Sequence, residues 1–424
     1  MSLMALNIRR ASRFWRLNRP FNRRWSWRGA GAGLAVLLLS WPLAALPAAS
    51  GPPIATLPQS AAALPSTDQA RQVDTLLQRA DAYQALGQYR NALAVLRAAQ
   101  PLAEALDRSR HAAVLSELGE TLWRMGATAD ARRELNRSVA LARQANAPHI
   151  AGASLNHLGN LAADQGDAAA ARRAWQESLR LARQAQDAAL MAAALINQAR
   201  LAAREGDART AETLLAEAAR QTQTLPASHD QARHLLAIGQ LRRTLPGASA
   251  SQWAQAAQQF TAAAAIARQV NDQRSLSYAL GYQAQLQQDE GRSAEALAWC
   301  RQAVFAAQQA NAPELLYRWQ WLIGRLLKAQ GDRDGAILAY QQAVANLQAI
   351  RRDFALDQVR NPDSLQTGGG DAFTELADAL LQRAAAQAAP AAREADLRAA
   401  RTVMEALKTA EVQDYFRDDC VAAL

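Results

Sequence analysis

Between about Asp74 and Arg351 the chain alternates apolar and polar positions with the 3.6-residue period of amphipathic helices, and the run is punctuated at regular intervals by glycine. The punctuation is visible in "QALGQYRNAL", "WRMGATADAR", "ADQGDAAAAR", "AREGDARTAE", "QDEGRSAEAL" and "KAQGDRDGAI", which carry Gly87, Gly126, Gly166, Gly206, Gly291 and Gly331. Successive gaps are 39, 40, 40, 85 and 40 residues, and "RTLPGASASQW" supplies Gly247 inside the long gap. Around these glycines, with Gly247 displaced by a few residues, a small residue lies seven positions before, an alanine five positions after, a bulky residue four further on and a small residue three beyond that. The third unit reads Gly159, Gly166, Ala171, Trp175, Ser178, and the seventh reads Gly324, Gly331, Ala336, Tyr340, Ala343. Seven helix pairs are predicted, each turning at its glycine.

The spacing has a packing reason. Two helices joined by a tight turn approach closely only where small side chains meet, and a bulky residue on the second helix then fills the gap toward the next pair. "ARQANAP" and "AQQANAP" close second helices with asparagine and proline, Asn146 to Pro148 and Asn311 to Pro313. This pattern resembles the tetratricopeptide repeat in its forty-residue form. The resemblance implies an all-α, right-handed solenoid of about seven helix pairs plus a C-terminal helical extension, with the first helices of the pairs lining a concave face.

On that face, the residue following each small position of the first helix is Glu120, Asn160, Arg200, Gln240, Gln285 and Arg325, all polar. One turn further along lie Arg124, Asp164, Arg204, Arg243, Asp289 and Lys328. A polar row repeating every forty residues suits an extended peptide, with its regularly spaced amides, and the surplus of arginine points to an acidic one or to a terminal carboxylate. The competing reading is a solvated face with no partner.

The period breaks after Arg352. "LDQVRNPDSLQTGGGDAF" is read as a loop over 353–371, and 372–424 as a helical extension whose last helix has an apolar face through Leu397, Val403, Leu407 and Ala410. The segments "YRWQWLIGRLLKAQGDRDGAILAYQQAV", "FTELADALLQRA" and "ARTVMEALKTAEVQDYFRDDCV" resemble the join between tetratricopeptide repeats and a caspase-like CHAT protease domain in bacterial proteins. The resemblance covers roughly residues 316–421 and implies recruitment or regulation of such a protease, whose catalytic domain is absent from this sequence. Two accounts of the ending stay open: a truncated fragment of a longer protease, or a scaffold that works alone. An apolar face left without a partner favours the first.

Composition and charge refine this picture. The 424 residues carry a net charge of +9, but Arg9, Arg10, Arg13, Arg16, Arg19, Arg23, Arg24 and Arg28 supply eight of those charges within the first fifty residues, where no acidic residue occurs. A basic surface for nucleic acid is therefore not expected in the repeats. The basic stretch precedes the apolar run Gly29 to Ala49, so residues 1–50 are read as a signal peptide or a retained N-terminal membrane anchor, with 51–73 as a Pro/Ala/Ser-rich spacer and 74–352 as the repeat array. The product is expected to be exported across the inner membrane, periplasmic or extracellular, with membrane contact only through an uncleaved 29–49 segment. An envelope-assembly scaffold held by that anchor is a further alternative.

Catalytic motifs are not apparent. Trp175, Phe260, Cys300 and Tyr340 share the bulky slot, which makes Cys300 a core residue. Cys420 lies beside Asp418 and Asp419, which disfavour a thiolate. The histidines at 111, 149, 157, 229 and 234 lack metal-ligand spacing, and no cofactor is expected. The sequence predicts a binding protein, not an enzyme.

Overall fold

The computed structural model describes residues 66–357 and 369–417. Among them the secondary structure is entirely helical and is arranged in consecutive antiparallel pairs. The first four pairs are α1 (Ser66–Ala85) with α2 (Tyr89–Leu106), α3 (Arg108–Arg124) with α4 (Thr128–Gln144), α5 (Pro148–Asp164) with α6 (Ala168–Ala185), and α7 (Ala188–Arg204) with α8 (Ala208–Gln223). The next three are α9 (His229–Thr244) with α10 (Ala250–Gln269), α11 (Gln273–Asp289) with α12 (Ser293–Gln309), and α13 (Pro313–Ala329) with α14 (Arg333–Asp357). A last pair joins α15 (Gly369–Ala386) to α16 (Pro390–Arg417).

Each glycine of the forty-residue period falls at the turn inside a pair and adopts a left-handed conformation, with φ between 72° and 85°. That region penalises a Cβ, so glycine is the residue that lets the chain reverse there. Four of the turns between pairs use the same conformation without glycine: Asn146, Gln186, Asn271 and Asn311 have φ of 52°, 55°, 55° and 48°. Asparagine tolerates this geometry best, and "NAP" owes its position to it.

The small-to-bulky rule is also a contact rule. A Cβ on Gly159 would stand 2.5 Å from the Trp175 indole nitrogen, and one on Gly119 would stand 2.5 Å from Leu135 Cγ. Phe260 and Tyr340 are fully buried against Gly239 and Gly324 in the same way. Cys300 occupies the equivalent slot, with no exposure and a thiol that burial pushes up to about 12. It is a core residue, as its register predicts.

The odd-numbered helices pack on the next odd-numbered helix along the run from α1 to α13, while even-numbered helices do not pack on one another to that extent. In a curved stack the layer with such contacts is the inner one. The odd helices therefore line the inner face.

Three boundaries differ from the sequence reading. Helix α1 begins at Ser66, eight residues before the expected array start, because Val73 and Leu76 pack against Ala99, Ala103 and Val114 and draw this part of the spacer into the helix. The loop expected over 353–371 is shortened at both ends, since α14 continues to Asp357 and α15 starts at Gly369. The last pair is stacked on the array: Phe373, Leu376 and Leu380 join Tyr340, Leu347 and Ile350 of α14 in one core. Arg383 ties the three helices together by donating to Asp396 of α16 (3.0 and 2.7 Å) and to Asp334 of α14 (2.7 Å).

This stacking overturns the expectation of an uncovered apolar face on α16. Ala400, Leu407 and Ala410 are buried, the first two in the core shared with α14 and α15. Leu397 is 46% exposed because it lies about a quarter turn away from that stripe. The leader 1–50, most of the spacer, residues 358–368 and Cys420 lie outside the described residues. Among the described helices none is long and apolar enough to cross a membrane.

Candidate functional site

All six residues of the first predicted row lie on odd helices, α3 to α13 in order. Five of them are half-buried, and Arg325 is exposed. The second row lies nearer the turns and is mostly exposed. The structure brings these residues together along a single face, but it uses many of them to bind one another.

Arg124 pairs with Glu120 at 3.2 Å and lies over the Trp123 ring at 4.5 Å, while Trp123 Nε1 donates to Asp164 Oδ2 at 2.8 Å. Arg243 pairs with Asp289 and donates to Gln240 (3.2 Å) and Gln285 (3.0 Å), linking α9 to α11. Lys328 reaches Asp378 of α15 at 2.6 Å. Asn160 Oδ1 accepts from Trp175 Nε1 (3.1 Å) and from Asn197 Nδ2 (2.9 Å). These four positions are therefore partly structural, holding neighbouring pairs in register.

Arg200 and Arg204 differ from their counterparts. Arg200 donates to Asn197 Oδ1 at 2.9 Å, and neither arginine has a carboxylate partner among the described residues. They stand one helical turn apart on α7. Burial, followed by the like charges of Arg204 and Arg124, holds the Arg200 pKa below the ordinary arginine value, against the opposing pull of Asp164 and Tyr282. An anionic group placed beside this pair would relieve that repulsion. Arg325 also lacks a carboxylate partner but stacks near Trp321 at 5.7 Å.

A third row was missed by the sequence reading. One turn before the first row the inner stripe carries Glu117, His157, Asn197 and Tyr282, and one turn earlier still it carries Ala113, Ala153, Ala193, Arg233, Tyr278 and Arg318. The signal was available, because i, i+4 and i+7 share a helical face and the register was already fixed. Glu117 is the most perturbed acid of this row. Burial, and then the adjacent Glu120, push it up to about 8, against a hydrogen bond from Gln84. Glu120 itself is pulled down to about 2, since His157, Arg124 and Arg233 together overcome the effect of its burial. His157 Nε2 lies 3.5 Å from Glu120 Oε2, and burial holds that histidine below its ordinary value.

The aromatic members form a wall. Tyr278 and Tyr282 are 5.7 Å apart, Tyr282 lies 5.4 Å from Phe260, and both tyrosines meet the Trp319 ring edge-on at 6.4 and 6.0 Å. The face thus offers hydrogen bonds, paired and unpaired charge, and aromatic surface. Among the described residues no cluster of histidine, cysteine, aspartate or glutamate is disposed to hold a metal ion.

Residues 71–144 match the family model described as tetratricopeptide repeat. This stretch carries tetratricopeptide repeats. The matched span covers α2 and α3 with most of α1 and all of α4, and the pairs from α5 to α14 repeat its glycine turn. No curated protein matches in sequence. Solved structures are similar at low identity. BtubC from P. vanneervenii is 16% identical, with 58% of this chain and 90% of that chain covered and a TM-score of 0.45. A signal-transduction ATPase with a tetratricopeptide repeat sensor from Pyrococcus horikoshii is 13% identical over 69% of this chain, which spans 44% of that protein, with a TM-score of 0.49. A tetratricopeptide repeat protein from Parabacteroides merdae is 16% identical, with 65% and 93% covered and a TM-score of 0.36.

Proposed function

We propose that this chain is a non-catalytic scaffold whose inner face binds an extended segment of another protein, and that the segment carries carboxylates at the Arg200–Arg204 step. The observation that supports this reading is the pairing pattern. Arg124, Arg243 and Lys328 are neutralised by carboxylates within the chain, whereas Arg200 and Arg204 are not. A charge left unpaired in a half-buried groove gains most from an external partner. The side chains around it are already held in register, so binding orders mainly the partner.

The test uses fluorescent decamers, one rich in glutamate and aspartate and one with lysine in their place. The acidic peptide should bind more tightly at low salt, and Arg200→Glu with Arg204→Glu should weaken it by about tenfold or more without shifting Tm. Equal binding of both peptides, or acidic binding that survives the double reversal, rejects the subsite.

The finer proposals concern setting. Export is supported by the arginine-rich leader and its apolar run, and a role beside a CHAT-type protease is supported by the resemblance over residues 316–421. An immunoblot of fractionated native cells, with an antibody to the repeats, checks both. A soluble exported band near 45.8 kDa supports a free-standing scaffold. A band several hundred residues larger supports an attached protease domain, and a cytoplasmic band rejects export.

A further inference from the structure

The first pair of the array approaches the sixth across the groove. The turn between α1 and α2 lies against α11: both terminal nitrogens of Arg274 stand 3.6 Å from the point where a side chain would begin on Gly87. Arg274 is held there by Glu314 of α13 at 2.7 Å. Nearby, Arg233 of α9 lies within electrostatic reach of Asp81 on α1 and Glu120 on α3. Arg274 thus joins the first pair to the sixth across the opening of the superhelix and not along it, while Arg233, ion-paired with Asp230 on its own helix, brings the charge of the fifth pair near the acids of α1 and α3.

The α8–α9 junction combines an extended connection with loose packing. Four of the turns between pairs close on a left-handed residue, but α8 and α9 are joined by "TLPAS", Thr224 to Ser228, where no residue has positive φ. These two helices pack less closely than any other consecutive pair. A cleft of about 610 Å³ opens beside them, between α8 and the Pro246–Gly247 turn. The apolar side chains of α9 divide between two cores: Ile238 packs with α7 and α8, while Leu235 and Leu236 pack with α10 and α11.

We propose that the second half of the array latches onto the first across the groove, through the packing of Arg274 on the Gly87 turn, with the charge of Arg233 assisting and the α8–α9 junction as its hinge. A segment entering the groove sideways would have to part these contacts, so the latch governs access to the face described above. That consequence rests on the groove reading; the latch itself does not. Arg274 is held in place by its ion pair with Glu314, and Arg233 acts on α1 and α3 through charge, so salt should weaken the latch while the apolar cores of each half persist. A loosely packed junction is where the array can bend at least expense to its cores.

The experiment measures the opening directly. Spin labels at Leu86→Cys and Gln273→Cys, in a Cys420→Ser background with Cys300 left buried, report the distance across the latch. The expected result is one short, narrow distance at low salt that lengthens and broadens in Arg233→Ala with Arg274→Ala, and likewise at about 1 M salt. Hydrogen exchange should then rise selectively at the end of α8 and the start of α9. An unchanged distance in a helical, folded double variant overturns the latch. A longer distance with exchange raised evenly along the array overturns the hinge. Faster capture of the acidic decamer by the double variant links the latch to the groove; a longer distance with no acidic-peptide binding in either protein keeps the latch and rejects the groove reading.

Discussion

Helices α3, α5 and α7 present Ala113, Ala153 and Ala193 at the inner-stripe position where α9, α11 and α13 present Arg233, Tyr278 and Arg318. Backbone register is the same in both halves, and so is the contact that builds the core, Trp175 on Gly159 in one and Tyr340 on Gly324 in the other. One position per repeat therefore decides whether the groove is empty or filled. In the first half its floor is a row of methyl groups, with charge one and two turns away. In the second half that position carries long side chains, and Arg233 lies within electrostatic reach of the acids of α1 and α3. Core chemistry is shared between the halves, while groove chemistry is not.

Changes at core positions should be severe in either half. Trp319→Ala is expected to cost about 3–5 kcal/mol, because it removes a ring that is 1% exposed, its hydrogen bond to Ser277 (2.9 Å) and the support behind Tyr278 and Tyr282. Ala171→Trp, in the first half, overpacks a fully buried crossing and should destabilise by about 1–3 kcal/mol or more. Thermal melts check both, and a wild-type melt from either would sink the shared-core half of the comparison.

Groove positions should behave differently, and Glu117→Gln shows how. The folded pKa of Glu117 is about 8 and its ordinary value is 4.5, so the folded state binds the extra proton between those pH values. Its contribution to stability is therefore present at low pH and is lost as pH rises toward 8. Replacing the acid by its neutral amide should raise Tm by a few degrees at pH 8 and by little at pH 4.5. Glu120 has the opposite sign. It is pulled down to about 2, so its contribution is present above pH 4.5 and fades as pH falls toward 2. A Tm gain for Glu117→Gln that is independent of pH would mean that packing, not charge, accounts for the effect.

Most of the fold was legible because the repeat prints the same constraint many times. Gly87 alone would say little, but seven glycines in phase fix the turns, and the small-to-bulky spacing fixes which helices touch. The last pair was read as helical, yet its partner was misjudged: the buried stripe of α16 through Ala400 and Leu407 is covered by α15 and α14, and covering depends on how a non-repeating segment folds back. The groove was half legible. Its polar rows follow from register, but a register cannot say that Arg124 is neutralised by Glu120 while Arg200 has no such partner, since pairing depends on which rotamers meet between adjacent helices. The approach of Arg274 to Gly87 was not legible at all, because it accumulates from small rotations over five repeats.

Stacked repeats ordinarily behave as a line, in which stability is a sum over units and neighbouring interfaces and the ends are free to fray. The meeting of the Gly87 turn with α11 makes this array closer to a ring than a line. Local unfolding of α1 would then release contacts to a helix distant in sequence, so fraying at the first pair is coupled to the sixth. Folding acquires one contact of long sequence separation among many short ones, and such a contact can form only after most of the repeats between its ends are in place.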